Sequence, residues 1–455
     1  MEQKITTANV VKFLENLGYR KLQLSEGAYQ LVKIENSSIL KIADDTDLMQ
    51  EVKQKLLVEN KDETAWEKFL QGDFINKKAN LAFDIIKNIN LNINSPDTAY
   101  FYFRNGALQV SKTEMKLIPY EDLKGYLFES QIIKFDLKMP DENYLYGSSM
   151  FNAFLQNVTN KDIDRYNQLI TSIGYLLHGY KDASFTKAVI LIDEKIDFSG
   201  ESNGGTGKSL IGKAIAKMTK TLTKDGKNLS SGRFFYQDLD FTHRVMNLDD
   251  VKRDFDFEMF YSVVTGDMSV EQKYKKAYTL PFELSPKLLI TSNYMVMGSG
   301  GNSDERRKIE IEITPYYNEE FSPMDDFQCR FFDDWNQEQW NAFFLDMAFY
   351  CQEFLKKGIT VIQSVNLQEN KLIRKTSPSF VAFADSQFIF SDNQDEITKV
   401  KGILYTDFTT KYPTESKFVS KIQFKKWIDI YAQHRGLKIH HFESNSDSKV
   451  TLSKT

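Results

Sequence analysis

The spacing of apolar residues changes several times along this chain, and each change predicts a different kind of element. Residues 8–17 (ANVVKFLENL) repeat at helical spacing, whereas GAYQLVKIENSSILKIA has the pattern of two short strands around a polar turn. DLMQEVKQKLLVEN and KKANLAFDIIKNIN are predicted helices, and TAYFYFRNGALQVSK predicts a β-hairpin whose turn contains Asn105-Gly106. The first 120 residues are therefore predicted to be an α+β region of unknown role.

A regular alternation of strand and helix begins near the middle of the chain. Residues 148–180 have helical spacing, and KAVILIDE (187–194) is a continuous apolar run of the kind found in buried parallel strands. FTHRVMNLDD, PKLLITSNY and RRKIEIEITPY are further apolar or β-rich runs, separated by helical or loop segments. The alternation predicts a parallel sheet with flanking helices from residue 187 to about 315.

The rest of the chain is predicted to contain a helix, a linker and a small terminal domain. QEQWNAFFLDMAFYCQEFLKK is helical by spacing, and NLQENKLIRKTSPSFVAF is predicted to be a polar linker. Two helical patterns, ILYTDFTTKY and KIQFKKWIDIYAQHRG, precede two short strands, LKIHHFES and SKVTLSKT. Helices followed by a terminal β-hairpin suit a winged-helix-like domain.

Composition restricts the class of protein. A chain of 455 residues exceeds what one hydrophobic core usually supports, and 41% hydrophobic residues with nine prolines indicate globular domains rather than disorder. The two cysteines, Cys329 and Cys351, have no metal-ligand spacing, so we expect reduced thiols and no zinc site. Without a run of eighteen apolar residues or a signal-like N-terminus, the expected location is the cytoplasm, that of the host cell if the protein is viral.

Charge is unevenly distributed. The net charge is −5, yet the stretch from Glu396 to Thr455 has eleven Lys and Arg against six Asp and Glu, together with three of the five histidines. A basic C-terminal module on an acidic body suggests contact with nucleic acid. The alternative is a solvated, lysine-rich surface.

The stretch GESNGGTGKSLIGKAI, residues 200–215, has the features of a phosphate-binding loop. Such a loop needs glycines that let backbone N–H groups approach phosphate oxygens, a lysine for phosphate charge and a hydroxyl for Mg²⁺ at the start of a helix. Ser202 stands where the usual pattern has glycine, which loosens only the entry turn. The predicted nucleotide-binding residues are Gly204, Gly205, Thr206, Gly207, Lys208 and Ser209.

Polar residues at the ends of later strands supply the other parts of a nucleotide hydrolase. Asp249 and Asp250 close one apolar run, where one carboxylate can hold the Mg²⁺ shell and the next can orient water. Asn293 ends another run, and Arg306 and Arg307 precede a third; an arginine from a neighbouring subunit can stabilise charge on a transferred phosphoryl group. Taken singly, these residues could equally be a solvated turn, a polar strand end and a surface charge pair.

In this order the features resemble the superfamily 3 helicases, and among them the poxvirus-type primase-helicases and related phage and prophage replication ATPases. The segment FYSVVTGDMSVEQKYKKAYTLPFEL is similar to the family's Thr-Gly-Asp motif and following lysine-bearing hairpin, with Thr265-Gly266-Asp267 and then Lys273, Lys275 and Lys276. The resemblance covers about residues 150 to 455. The alternation of Lys with Tyr274 and Tyr278 is also compatible with an ordinary amphipathic hairpin.

The resemblance implies a P-loop, AAA+-like core that assembles into a ring, usually a hexamer, hydrolyses ATP between subunits and draws one DNA strand through its centre. It implies phosphate and Mg²⁺ binding by Lys208 and Ser209, a metal-shell role for Asp249, a catalytic role for Asp250 and γ-phosphate sensing by Asn293. Arg307, or Arg306, would act on the neighbouring subunit's nucleotide, and the hairpin lysines would track DNA. The family's catalytic acid is often Glu, whereas Asp250 is shorter.

The predicted organisation has four parts: residues 1–120, a helical collar at 121–180, the helicase core at 181–360 and a winged-helix-like DNA-binding domain at 361–455. Lys425 and Lys426 are the predicted DNA contacts of the last part; a protein-interaction role is the alternative. The predicted function is a replicative DNA helicase of a virus, phage or mobile element, using ATP and Mg²⁺ on single-stranded and forked DNA, without membrane contact and with priming by a separate primase. The alternative is an ATP-switched initiator or defence ATPase that does not unwind DNA.

Overall fold

The computed structural model of the chain describes residues 5–25, 28–36, 38–87, 89–194, 205–229, 234–273, 277–296, 298, 302–362, 365–391, 394–444 and 447–454. The fold is mixed α/β and divides into two compact units, residues 1–361 and 362–455. Among the described helices, none combines the length and apolar character needed to cross a bilayer. The finer boundaries at residues 120 and 180 stay predictions.

Short helices and two small sheets form the N-terminal part of the first unit. Its elements are α1 (Thr7–Asn16), β1 (Tyr19–Ser25), β2 (Ala28–Glu35), β3 (Ile39–Ile42), α2 (Asp45–Lys53, continued by a π-helical turn, Gln54–Glu59), α3 (Glu63–Gln71), α4 (Lys77–Ala82), β4 (Ile85–Ile86), β5 (Thr98–Phe103), β6 (Gly106–Ser111), β7 (Met115–Ile118) and β8 (Leu127–Phe128). The sheet orders are β4-β1-β2-β3-β8 and β5-β6-β7.

One sequence prediction for this part is wrong in detail and another is confirmed. The helix predicted over KKANLAFDIIKNIN ends at Ala82, and Ile85–Ile86 instead pairs with β1 as a parallel strand. The hairpin predicted around Arg104-Asn105-Gly106 is confirmed, because Phe103 pairs with Gly106 across the two-residue loop Arg104-Asn105. The Asn105 side chain holds this loop, because its amide group bonds both the N–H and the C=O of Leu137 at 2.9 Å.

The central part of the first unit is the predicted parallel sheet with its helices. Its elements are α5 (Met150–Val158), α6 (Ile163–Leu177), β9 (Ala188–Asp193), α7 (Lys208–Met218), β10 (Thr221–Asp225), β11 (Val245–Val251), α8 (Tyr261–Thr265), β12 (Met268–Val270), β13 (Tyr278–Leu280), β14 (Lys287–Ser292), α9 (Asn302–Glu305), β15 (Lys308–Ile313), α10 (Pro323–Phe327) and α11 (Gln337–Lys357). All neighbours in the order β10-β11-β14-β9-β15 are parallel, while β12 and β13 form a separate antiparallel hairpin.

Burial explains why this sheet forms. Every residue of β9 and β14 is buried, as expected of central parallel strands with both faces covered. On one face, α6 packs against α11 at Gly174, where a Cβ atom would lie 2.1 Å from the Tyr350 carbonyl oxygen. The helical run predicted over 148–180 is thus two helices, and Asp162 begins the second by accepting bonds from the N–H groups of Asp164 and Arg165.

The second unit combines helices with a three-stranded antiparallel sheet of order β16-β18-β17. Its elements are α12 (Val365–Lys375), α13 (Pro378–Gln387), β16 (Glu396–Val400), α14 (Lys401–Lys411), α15 (Pro413–Ser416), α16 (Lys421–His434), β17 (Lys438–Ser444) and β18 (Asp447–Ser453). The predicted polar linker is wrong, because it forms α12 and α13. Leu372, Phe380 and Phe383 from these helices are buried in the core of the unit.

Candidate active site

The phosphate-binding loop predicted from sequence joins β9 to α7. Gly204 and Ser202 lie outside the described residues, while Gly205 and Gly207 have φ of +98° and +97°. Glycine is needed at 207 twice over, since this φ is strained for any other residue and a Cβ would lie 2.6 Å from the Phe154 ring. The left-handed turn brings the chain directly into α7, whose first residue is Lys208.

Lys208 is a buried cation at the base of this loop. Its side chain is only 7% exposed, and its ammonium donates to the Asp193 carboxylate and, at 3.0 Å, to the Thr206 hydroxyl. Thr206 in turn donates to Asp193 at 2.7 Å. Burial lowers the pKa of Lys208, and the carboxylates of Asp193 and of the acidic pair oppose that shift. Asp193 was not predicted, although as the last residue of the KAVILID strand it ends beside the loop.

The acidic pair lies among the last three residues of β11 (Val245–Val251), at the strand end where the sequence predicts it. The register between β11 and β14 shifts between Leu248 and Val251, so Asp249 and Asp250 occupy a bulge in the strand. Asp250 has φ of +58°, a conformation that is uncommon outside glycine. Bulges of this kind redirect side chains and are common beside active sites.

Thr291 of β14 connects the two aspartates. Its hydroxyl donates to Asp249 Oδ1 at 2.7 Å and accepts from the Asp250 amide at 2.7 Å. Ser209 Oγ, from the first turn of α7, also donates to Asp249 Oδ1, at 3.0 Å. Thr291 was missed by sequence reasoning, because a threonine inside an apolar strand reads as an ordinary β-former.

Each oxygen of the Asp250 carboxylate has a donor. Asn293 Nδ2 donates to Oδ1 at 3.1 Å, and Lys227 Nζ lies 2.5 Å from Oδ2. The hydrogen bond to Asp250 raises the pKa of the Lys227 ammonium, which is 61% exposed. Lys227 follows β10, and nothing in its local sequence indicates a role at this site.

The phosphate-binding loop, Asp250, Thr291 and Asn293 share one cavity of about 350 Å³. On one side it is lined by loop residues 205–210, Asp250, Thr291 and Asn293, at the carboxyl edge of the sheet. The opposite wall comes from α10 and the residues after it, namely Pro323, Met324, Cys329, Arg330 and Phe331. The Arg330 guanidinium is paired with Asp334 at 2.7 Å. A volume of this order is within the range of small-ligand pockets.

Arg306 and Arg307 lie at the opposite end of the strands from the cavity, where β9 and β15 begin. The Ala188 N–H, at the amino end of β9, donates to the Arg307 carbonyl at 2.8 Å, whereas the phosphate-binding loop follows the carboxyl end. A six-residue strand spans about 20 Å, so neither arginine reaches the cavity of its own chain. Arg307 lies 4.7 Å above the Tyr261 ring centroid, and Arg306 is exposed.

The remaining residues predicted from sequence are the candidate DNA contacts. Lys273 follows β12 at the start of the hairpin connection, with its ammonium 5.9 Å from the centroid of the Phe234 ring. Lys275, Lys276 and Tyr274 lie outside the described residues. Lys425 and Lys426 are exposed on α16 of the second unit.

The donor set fits a nucleoside triphosphate with Mg²⁺. Among the residues the structure describes, no three His, Cys, Asp or Glu side chains are grouped to hold a metal by themselves. Mg²⁺ at phosphate sites takes one or two carboxylates together with substrate phosphates and water, so Ser209 and Asp249 are the protein groups suited to it. The buried Lys208 ammonium provides a complementary charge for phosphate oxygens.

Comparisons with known proteins give one family match and several structural likenesses. A family model described as a family of unknown function, DUF5906, matches residues 200–307, less than half of the chain. No curated protein matches the sequence. The site itself, rather than these comparisons, provides the basis for a functional conclusion.

Three solved structures illustrate the structural likenesses. An apo structure of the NrS-1 C-terminal region has 12% identity and a TM-score of 0.44, covering 98% of this chain and 99% of that chain. JCV helicase bound to an acetamide compound has 13% identity and a TM-score of 0.28, covering 54% and 66%. Drosophila ORC bound to DNA has 11% identity and a TM-score of 0.20, covering 70% and 94%.

Proposed function

We propose that this chain is an ATP-dependent DNA helicase that works as a ring, usually a hexamer, on single-stranded and forked DNA. The observation that carries the proposal is one cavity in which Lys208, Asp250 and Asn293 meet, with Arg306 and Arg307 at the far edge of the same sheet. Such an active site has its phosphate-binding half and its arginine on opposite sides of each subunit. Neighbouring subunits then complete each other's sites.

Each residue of the cavity has a role in hydrolysis under this proposal. Backbone N–H groups of the loop and the Lys208 ammonium bind the triphosphate, and Asp250 accepts a hydrogen bond from the attacking water. The Asn293 amide, 3.1 Å from Asp250, holds the carboxylate in place and contacts the γ-phosphate. Bound Mg²⁺ would neutralise phosphate charge, with Ser209 and Asp249 as its protein ligands.

DNA contact is proposed for both units. Lys273, Lys275 and Lys276 of the β12–β13 hairpin would follow the phosphate backbone in the centre of the ring, independently of base sequence. The second unit, with a winged-helix-like role, would add Lys425 and Lys426. We propose the host or cellular cytoplasm as the location, replication of a virus, phage or mobile element as the context, and a separate primase as a partner.

The decisive experiment measures ATP turnover and displacement of a labelled strand from a forked duplex. Wild type should do both, Lys208→Ala should do neither, and the Lys275→Ala, Lys276→Ala double variant should keep nucleotide binding and lose displacement. Turnover without any displacement by wild type would instead support an ATP-switched initiator or defence ATPase. Unchanged turnover in Lys208→Ala would contradict both.

A further inference from the structure

The second unit exposes an aromatic side chain among lysines. Phe418 is 89% exposed, the largest fraction among the large hydrophobic residues of the described chain, and Ile422 is 72% exposed. Phe418 follows α15 and is held outward by its neighbour: Val419 is buried in the core of the unit, and its carbonyl accepts a bond from the Tyr405 hydroxyl at 2.8 Å. The backbone that carries the ring is therefore anchored.

α16 begins three residues after Phe418 and has an exposed outer face. Phe424, Trp427 and Ile428 are buried against the core, whereas Ile422 and Lys426, one turn apart, point to solvent. Ser420 begins the helix by accepting the Gln423 N–H at 3.1 Å, which fixes the turn between Phe418 and α16. We call Phe418, Lys421, Ile422, Lys425 and Lys426 the basic-aromatic surface.

The charge of this surface is positive. Lys421, Lys425 and Lys426 are exposed, and no described acidic side chain forms an ion pair with them. Burial, and after it the charge of nearby Lys425, lowers the pKa of Lys401, while Glu443 and Asp429 oppose the shift. The nearest acidic residue on the helix, Asp429, is bonded to His441 at 2.6 Å.

The combination of ring and ammonium groups selects the kind of partner. Lysines alone would suit any polyanion, including duplex DNA, whose bases are stacked inside the helix. An exposed phenyl ring gains from an unpaired base, which can stack on it while the adjacent phosphates meet the lysines. A protein partner would require a larger apolar area than two side chains surrounded by ammonium groups.

We propose that the basic-aromatic surface binds single-stranded nucleic acid, with one base stacked on Phe418 and neighbouring phosphates on Lys425 and Lys426. The inference rests on the proposed function for its DNA substrate and adds a specific contact outside the ATPase unit. Stacking contributes affinity that salt does not remove, and the lysines contribute affinity that salt does remove. The two contributions can be measured separately.

The test uses the full chain and a labelled 30-nucleotide thymidine strand, without nucleotide, over a salt titration. Phe418→Ala should weaken binding about tenfold with an unchanged salt slope, and Phe418→Trp should restore it. Lys425→Ala, Lys426→Ala should flatten the slope of log affinity against log salt by about 1.4, at about 0.7 for each phosphate. When 5-iodouracil replaces thymine in the strand, irradiation should cross-link the strand to the protein. After digestion with trypsin, the linked peptide should be the one that begins at Phe418.

A matched control is Ile389→Ala, because Ile389 is 70% exposed in the same unit but lies outside the basic-aromatic surface. It should leave affinity and cross-linking unchanged. Equal affinity of Phe418→Ala and wild type, absence of the cross-link, or an equal loss on duplex DNA would each overturn the proposal. ATP turnover is measured in parallel. A wild type that binds the strand through Phe418 but does not hydrolyse ATP would refute the proposed ATPase activity and would still support the proposed strand binding.

Discussion

At the scale of single residues, the backbone of Asp250 is the most unusual feature of the site. A positive φ is tolerated by aspartate at a cost of order 1 kcal/mol, and here the Asp250 N–H is fixed by Thr291 at 2.7 Å. The bulge turns the carboxylate into the cavity, where Asn293 and Lys227 hold its two oxygens. Local strain is thus combined with the exact group that the proposed hydrolysis needs.

Replacing Asp250 should separate binding from chemistry. Asp250→Asn keeps the shape of the side chain and removes its ability to accept a proton from water, so turnover should fall about 10²- to 10⁴-fold while ATP affinity is retained. Asp254→Asn is the matched control, since Asp254 is exposed and does not line the cavity. Turnover assays and titration with a fluorescent ATP analogue give the two quantities; equal turnover in both variants would exclude Asp250 as the catalytic carboxylate.

Lys227 should restrain turnover. Its ammonium, 2.5 Å from Asp250 Oδ2, withdraws charge from the carboxylate that must bind water. In Lys227→Met we expect DNA-independent turnover to rise about two- to fivefold, because an exposed ion pair is worth at most about 1 kcal/mol. Lys224→Met, which removes the ion pair between Lys224 of the preceding strand β10 and Asp238, is the control. A fall in turnover specific to Lys227→Met would show that the lysine positions Asp250 instead.

At the scale of elements, the turn at Gly207 determines whether α7 can present Lys208 to a phosphate. Any side chain at 207 meets the Phe154 ring, which is itself stacked on Tyr317 at a centroid distance of 5.5 Å and has little freedom to move. The loop, α5 and the segment after β15 are consequently packed as one layer. A substitution of Gly207 should therefore lower both the free energy of unfolding and the affinity for nucleotide.

Gly207→Ala should destabilise the protein by about 1–3 kcal/mol, because alanine is strained at φ of +97°. ATP affinity should fall about tenfold or more, since a 1.4 kcal/mol distortion of the loop already corresponds to a factor of ten. Gly402→Ala is the matched control: a Cβ there meets nothing within 4 Å, and alanine favours the helix α14. Thermal unfolding and ATP titration check both variants, and wild-type values for Gly207→Ala would contradict this account of the loop.

The elements that could be predicted from sequence are those whose own hydrophobic pattern specifies a strand or a helix. β9, β11 and β14 were predicted because central strands are largely apolar, and the edge strand β15 (KIEIEI) was predicted because its β-branched residues alternate with polar ones. β10 (TLTKD), the other edge strand, is half-exposed, and its polar residues resemble a loop. The predicted linker failed because its few apolar residues, such as Leu372 and Phe380, are spaced among many polar ones and are buried only by partners later in the chain.

The same distinction holds for the site. Lys208, Ser209 and the acidic pair could be predicted because a local motif or a strand end marks them. Lys227 reaches Asp250 only because β10 lies beside β11, and the wall formed by Arg330 and Phe331 depends on a segment that follows the last strand of the sheet. Contacts of this kind follow from strand order and packing, which periodicity does not specify.

At the scale of the whole molecule, the strand order separates the two halves of the proposed active site. β15 runs parallel to β9, so the arginines before β15 lie beside the amino end of β9, while the loop follows its carboxyl end. Under the proposed function, one subunit therefore presents its phosphate-binding loop at one end of the strands and a guanidinium at the other. An interface that joins unlike surfaces in this way generates rings when its rotation closes.

This arrangement can be tested by mixing two inactive variants. Lys208→Ala lacks the phosphate ligand and Arg307→Ala lacks the guanidinium, so each should be inactive alone while keeping its fold. When the two are co-expressed, an Arg307→Ala subunit offers an intact loop and a Lys208→Ala neighbour offers Arg307. Random mixing then restores about a quarter of the sites, because a heterologous interface takes one surface from each partner.

In the control, one of the two chains in the mixture carries both substitutions, and this mixture should restore no turnover. Repeating the experiment with Arg306→Ala in place of Arg307→Ala shows which arginine acts. Arg307 packs over Tyr261, so thermal unfolding and ATP binding of Arg307→Ala must first match wild type to exclude a folding defect. Mixed assemblies that stay as inactive as their parents would mean that the arginines do not act across subunits. Recovered turnover would show that the two sheet edges meet at a shared nucleotide.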